Sequence, residues 1–154
     1  WLIAVSSRPN VPDLGRKKGT HAFYDLDRHP DGETYPGLAI VRFDGGLFFV
    51  NTGALADHLR SIRIREGSDL NGVILSMEGV DFIDIEGADT IKSIAEAGKQ
   101  LTIDLHLTRV KPQVAELLVR DGILDVMPKE HFHSDIDAAV KMHLSKFPPH
   151  ATTE

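Results

Sequence analysis

The run of residues 73–95 constrains the fold of this chain more than any other part of its sequence. It begins with Val73-Ile74-Leu75-Ser76-Met77, an almost uninterrupted apolar stretch that is typical of a buried strand. Ile91, Ile94 and Ala95 follow at helical spacing. Between them, the acidic turn of residues 83–87 places carboxylates beside the unpaired N–H groups of a helix start. Such a strand–turn–helix unit is a natural switch or binding surface.

The same alternation of strand and helix patterns continues on both sides of this unit. Strand–helix–strand order predicts parallel pairing with right-handed crossovers, so the sequence predicts a single α/β domain. Before the first helix, two strands joined by Asp44-Gly45-Gly46 predict an antiparallel hairpin. The predicted strands cover residues 21–26, 38–43, 47–50, 72–77, 101–107 and 124–126. The predicted helices cover residues 52–65 and 86–99, then run from Pro112 to a stop at Gly122, and from a capping arrangement at Ser134 and Asp137 to Pro148.

Charge and composition exclude several classes of protein. The formal net charge of -6 opposes general nucleic-acid binding, which needs a basic face. Because the chain has no cysteine, disulfides, thiolate metal sites and thiol catalysis are excluded together. No apolar stretch approaches the roughly 18 residues that span a bilayer.

The opening of the chain is unusual. It begins Trp1-Leu2-Ile3-Ala4-Val5, and basic residues follow at positions 8, 16, 17 and 18. This order suits the cytoplasmic exit of a membrane helix, because basic residues collect on that side. The alternative is a fragment boundary followed by a solvated basic loop. In either case residues 1–20, with two prolines and two glycines, are expected to form an extended arm.

The sequence offers no recognisable catalytic or metal-binding constellation. No hydroxyl residue lies in a nucleophile-elbow sequence, and no glycine-rich phosphate loop is present. Asp81, Asp84 and Glu86 form one short acidic loop without an opposing partner, which favours helix capping over acid–base chemistry. His131 and His133 have no third ligand at a characteristic spacing and are interpreted as solvated loop histidines. We therefore expect neither an enzyme nor a metal site.

The carboxyl ends of parallel strands form the crevice in which such sheets bind ligands. In this chain Arg109 and Lys111 lie at that edge and are candidates to meet an anion or a nucleotide phosphate, as in GDP, GTP or ATP. The alternative is ordinary loop charge that balances the acidic turn. The candidate nucleotide- or anion-binding residues are Asn51, Thr52, Thr108, Arg109 and Lys111, and the candidate regulatory turn consists of Asp84, Ile85, Glu86 and Gly87.

Two sets of residues resemble a known family. Phe49-Val50-Asn51 and the turn Ile83-Asp84-Ile85-Glu86-Gly87 resemble a STAS domain, found in bacterial anti-sigma-factor antagonists and at the cytoplasmic end of SulP-type anion transporters. The upstream run Leu14-Gly15-Arg16, Gly19-Thr20, Tyr24, His29-Pro30 and Pro36-Gly37-Leu38 is similar to the SulP linker and first strands. The resemblance implies a mixed β-sheet with about four helices mainly on one face. It also implies a linker at residues 1–20, a STAS domain at 21–147 and a tail at 148–154.

The acidic turn departs from the pattern of the antagonists. Their turn reads Asp-Ser-Ser/Thr-Gly, and its second hydroxyl residue is phosphorylated, whereas Ile85 and Glu86 stand at those two positions here. Phosphoryl transfer to this turn is therefore excluded.

The resemblance implies a regulatory domain of a SulP-type transporter, with sulfate the expected anion. Its expected place is the cytoplasmic face of the plasma (inner) membrane. The expected partners are the transmembrane domain of the same polypeptide, a second copy in a homodimer, and other regulatory proteins. The alternatives are a free-standing antagonist and a nucleotide-binding sensor domain.

Overall fold

The computed structural model describes residues 10–45 and 52–149 as an α/β domain. Its strands are β1 (Leu14–Arg16), β2 (Phe23–Asp25), β3 (Leu38–Arg42), β4 (Gly72–Ser76), β5 (Asp104–Thr108) and β6 (Phe132–His133). Its helices are α1 (Thr52–Glu66), α2 (Ile85–Gln100), α3 (Pro112–Arg120) and α4 (Ile136–Lys146). The predicted fold class is confirmed.

Four of the strands form one parallel sheet in the order β3–β4–β5–β6, while β1 and β2 form a separate antiparallel pair. The register places Val41 beside Leu75 and Leu75 beside Leu107. All five residues of β4 are buried, as expected for a central parallel strand that is covered on both faces. The parallel pairing predicted from the strand–helix alternation is confirmed.

Alternate residues of the strands supply two separate hydrophobic cores. On one face Val41, Leu75 and Leu107 pack against α1, α2 and α3. On the other face Ile40 and Ile74 pack against β1 and α4. Three of the four described helices therefore share one face, as the resemblance implied. The helix residues of the larger core include Leu55, Ile62, Ala88, Ile91, Ala95, Val114 and Leu118.

The first described residues run antiparallel along the outer edge of β3. Bridges join Asn10 to Asp44 and Asp13 to Val41. Asp13 also reaches α1, because its Oδ1 lies 2.9 Å from Nε2 of His58. From Asn10 onward the predicted linker thus contacts the sheet, and it contains β1. The predicted domain boundary at residue 21 stays a prediction.

The strand predicted at residues 124–126 is wrong. Ile123–Asp125 form a 3₁₀ turn instead, directly after Gly122, whose φ of 90° ends α3. The physical reason is that the segment buries Ile123 and Met127, which are four residues apart, while Leu124 is exposed. This is helical spacing. The edge strand is β6, which pairs with Leu107 and Thr108.

Two predicted boundaries also shift. The strand predicted to start at residue 101 starts at Asp104, because Leu101 still caps α2 and Thr102 adopts a φ of 56°. Helix α4 is capped by Asp135, whose carboxylate accepts the Ala138 N–H at 2.8 Å, and Ser134 precedes this cap. The second strand of the predicted hairpin, residues 47–50, lies outside the described residues.

Candidate functional site

The acidic turn caps the start of α2. Asp84 has extended backbone, and its carboxylate accepts the N–H of Gly87 at 2.8 Å. This bond satisfies one of the N–H groups that a helix start leaves unpaired. Glu86 lies exposed in the first helical turn, where the helix dipole favours a negative charge. The predicted capping role of the turn is confirmed for Asp84.

Two large apolar side chains flank this cap. Phe82 is 64% exposed and Ile85 is 63% exposed, although Val80, only two residues before Phe82, is fully buried. No serine, threonine or tyrosine lies between Val80 and Asp89. The turn therefore presents apolar surface and fixed carboxylates, without a group that a kinase could modify.

An ion pair joins the loop after β5 to the residues that directly precede the acidic turn. Nζ of Lys111 pairs with the carboxylate of Asp81, and the Gln113 side-chain amide donates to the Asp81 carbonyl at 3.1 Å. This arrangement favours the alternative stated above, in which Lys111 balances the acidic turn.

The other predicted nucleotide-binding residues are dispersed around this edge of the sheet. Thr108 is fully buried, and its hydroxyl has no hydrogen-bond partner among the described residues. Arg109 is exposed, has a φ of 51°, and donates its backbone N–H to the His133 carbonyl at 3.1 Å. Thr52 begins α1, and Asn51 lies outside the described residues. Nucleotide binding stays a prediction.

Four histidines from four elements meet on the α4 side of the sheet, and we call His106, His131, His133 and His143 the histidine cluster. His106 of β5 lies at the centre and is 1% exposed. Its ring stacks on His131, with centroids 4.3 Å apart. The ring of His133 lies at 5.1 Å, and the buried ring of His143 in α4 meets it edge-on at 5.7 Å.

Burial favours the neutral form of His106, His133 and His143. Burial, followed by the charges of the neighbouring histidines, lowers the pKa of His106 from its ordinary value of 6.5 to about 3, while Asp104 opposes the shift. Burial is also the main cause that lowers the pKa of His133 and of His143. Uncharged imidazoles retain a nitrogen lone pair, so these three side chains can accept a hydrogen bond or bind a metal ion.

The interpretation of His131 and His133 as solvated loop residues is wrong. Both are partly buried and touch the His106 ring, because β6 pairs with the end of β5. One sequence signal for a buried histidine was available. The alternation in β5 places His106 on the face opposite Leu105 and Leu107. The pairing with β6 had no comparable local signal.

Comparison with known proteins identifies the family. Residues 29–139 match the STAS domain. The chain belongs to the STAS domain family. This STAS domain is 30% identical to "Probable sulfate transporter 4.2" of Arabidopsis thaliana over 151 residues, which is 92% of the chain and 22% of that protein. It is 22% identical to a probable sulfate transporter of Mycobacterium tuberculosis, over 91% of the chain and 25% of that protein.

Solved structures show the same fold. The chain superposes on the murine solute carrier 26 family member A9 anion transporter with a TM-score of 0.82 and 18% identity, covering 94% of this chain and 24% of that one. The STAS domain of a SulP transporter from Vibrio cholerae gives a TM-score of 0.64 at 20% identity, over 79% of this chain and 92% of that one. A putative anti-sigma factor antagonist from Thermotoga maritima gives 0.59 at 15% identity, over 69% and 86%.

The STAS domain spans about a quarter or less of the curated sulfate transporters that it matches. Among the residues that the structure describes, none of the helices is both long and apolar enough to cross a bilayer.

Proposed function

We propose that this STAS domain is a regulatory interaction module of a SulP-type anion transporter, held at the cytoplasmic face of the membrane. Its partner is the transmembrane domain of the same polypeptide, and sulfate is the proposed anion. The printed names of the relatives, sulfate transporters from plants and from a bacterium, support this assignment. The structural likeness to part of a murine anion transporter, over 94% of this chain, supports it as well.

The observation that carries the docking role is the pair of exposed apolar side chains beside the α2 cap. Phe82 and Ile85 stand about two-thirds exposed on a turn whose backbone is fixed by Asp84. Interface cores are rich in large apolar and aromatic side chains that are presented by rigid elements. The turn therefore fits a permanent docking contact better than a phosphorylation switch.

The test is sulfate uptake by the full-length transporter that contains this chain. Replacing both Phe82 and Ile85 with serine removes the proposed anchors, each of which, as an interface hot spot, is worth about 2 kcal/mol or more. We expect uptake to fall while the amount of transporter in the membrane stays constant. Ile64→Ser is the matched control, because Ile64 is 77% exposed on α1. Equal uptake by the parent transporter, the double variant and Ile64→Ser would refute the docking role.

Nucleotide binding at the carboxyl edge of the sheet remains a second proposal, which the exposed guanidinium of Arg109 supports. An anion there has to compete with Asp81 for Lys111, because the two are already paired. Titration of the 154-residue chain with GDP, GTP and ATP, followed by amide chemical shifts, tests this idea. Shifts at Arg109 and Lys111 would support it, and unchanged shifts would remove it. The proposed homodimer is tested in the full-length transporter by cross-linking.

A further inference from the structure

Three side chains with metal-ligating atoms converge beside the amino end of β5. Asp104 and His106 belong to β5, and His131 ends the short 3₁₀ turn before β6. One potential ligand atom from each lies within 4.8 Å of the other two. Two imidazole nitrogens and one carboxylate oxygen form a ligand set that suits Zn²⁺ and related divalent transition metals.

Hydrogen bonds orient both imidazoles for this role. Nδ1 of His131 lies 2.8 Å from the Leu105 carbonyl oxygen, which can only accept, so Nδ1 carries the proton and Nε2 keeps a lone pair. Nδ1 of His106 lies 3.0 Å from Nε2 of His133 and donates to it when Nε2 of His106 is unprotonated. Backbone and side-chain acceptors behind a ligating histidine are the usual supports of a metal site.

Nε2 of His106 lacks a hydrogen-bond partner among the described residues. This atom is buried, and the whole His106 residue is only 1% exposed, so water cannot easily replace the missing partner. A buried polar atom of this kind destabilises the folded chain unless something satisfies it. A metal ion satisfies a nitrogen lone pair directly.

We propose that Asp104, His106 and His131 bind one divalent transition-metal ion, with Zn²⁺ the best fit to the ligand set. Three protein ligands leave the fourth tetrahedral position for water or an exogenous ligand. Two of the three ligands are reachable from solvent, because an open cavity of about 630 Å³ is lined by Asp104 and His131 together with Lys146.

Two contacts have to change when the ion binds. Tetrahedral ligand atoms at zinc lie roughly 3.4 Å apart, as the bond lengths require. The rings of His106 and His131 are stacked at an interplanar angle of 15°, so they have to tilt until both lone pairs point to one centre. Nζ of Lys146 lies 2.8 Å from Oδ2 of Asp104 and competes with the ion for the same carboxylate.

The test uses the tag-free 154-residue chain after removal of metal by a chelator. Calorimetric titration with Zn²⁺ is expected to give one ion per chain, and Co²⁺ is expected to show the strong visible absorption of tetrahedral coordination. His131→Ala and Asp104→Asn should each weaken Zn²⁺ binding by roughly 10-fold or more, since even loss of an outer partner costs that much. Lys146→Met should strengthen binding, because it removes a competing cation.

His29→Ala is the matched control, because His29 is exposed and lies in the connection between β2 and β3. The Zn²⁺ affinity of His29→Ala should equal that of the parent chain. Absence of Zn²⁺ binding in the parent chain overturns the proposal, and so does equal affinity in His131→Ala. Far-ultraviolet circular dichroism checks the fold of each variant. Should His131→Ala fail to fold, the Zn²⁺ affinity of Lys146→Met tests the proposal, because Lys146 is exposed. An affinity equal to that of the parent chain then overturns it.

Discussion

Gly72→Ala provides a direct test of the packing between β4 and α4. A Cβ atom at Gly72 would lie 2.2 Å from Cε1 of His143 and 2.6 Å from its Nδ1. The ring has no room to withdraw, since His143 is 2% exposed and stacks on Phe147, with centroids 4.9 Å apart. Its Nε2 also lies 2.7 Å from Oδ1 of Asn71. One methyl group therefore forces α4 or the strand to move.

The expected cost follows from these contacts. Inserting a carbon into a well-packed core typically costs about 1–3 kcal/mol. If the ring is displaced, its hydrogen bond to Asn71 adds about 1 kcal/mol. An opposing gain of about 0.4–1 kcal/mol comes from the reduced freedom of the unfolded chain when glycine becomes alanine. We therefore expect Gly72→Ala to lower the free energy of unfolding by about 1–3 kcal/mol.

Urea unfolding followed by circular dichroism measures this change. Gly53→Ala is the matched control, because no atom of the described residues outside its own helix backbone lies within 4 Å of an added Cβ, and we expect it to be neutral or slightly stabilising. In a His143→Ala background the ring is gone, so the cost of Gly72→Ala should fall below about 0.5 kcal/mol, a coupling of neighbouring residues. The reasoning fails if Gly72→Ala matches the parent chain, or if its cost is the same in both backgrounds.

Three further predictions concern the cap, the histidine cluster and the ion pair. Asp84→Ala removes the α2 cap and should lower the free energy of unfolding by about 0.5–2 kcal/mol, whereas equal urea midpoints would contradict the capping role. The pKa of His106 is lower in the folded chain than in the unfolded chain. The contribution of neutral His106 to the free energy of unfolding is therefore complete above pH 6.5 and is lost as the pH falls toward 3. In metal-free buffer this loss should reach up to about 2 kcal/mol at pH 5, and should be smaller in a folded His106→Asn variant; identical pH profiles would refute it. Lys111→Met breaks a surface pair with Asp81 and should cost at most about 1 kcal/mol in urea unfolding, so a larger loss would show that this contact fixes the loop.

Local patterns predicted the regular part of the fold. The apolar run that became β4 is buried along its whole length, and the helical spacing of Ile91 and Ala95 places both in the larger core. The start of α3 at Pro112 followed from the fixed φ of proline. In each case the deciding interactions lie within a few residues of one another, so the sequence carries them directly.

Long-range contacts account for what was missed. β6 is two residues long, and only its pairing with β5 makes it a strand. His106 and His131 are 25 positions apart and meet only after that pairing has formed. The ion pair between Lys111 and Asp81 likewise joins two loops 30 residues apart. Sequence alone left open whether Lys111 meets a ligand or balances the turn.

The segment that begins at Asn10 has a consequence for how two copies of the domain can associate. It occupies the N–H and C=O groups on the outer side of β3, with the Arg42 N–H donating to Pro12 at 3.0 Å and the Asp44 N–H donating to Asn10 at 3.0 Å. Free strand edges are where sheets from separate chains join. A continuous intermolecular sheet through the carboxyl end of β3 is therefore blocked, and a second copy has to associate with another surface of the domain.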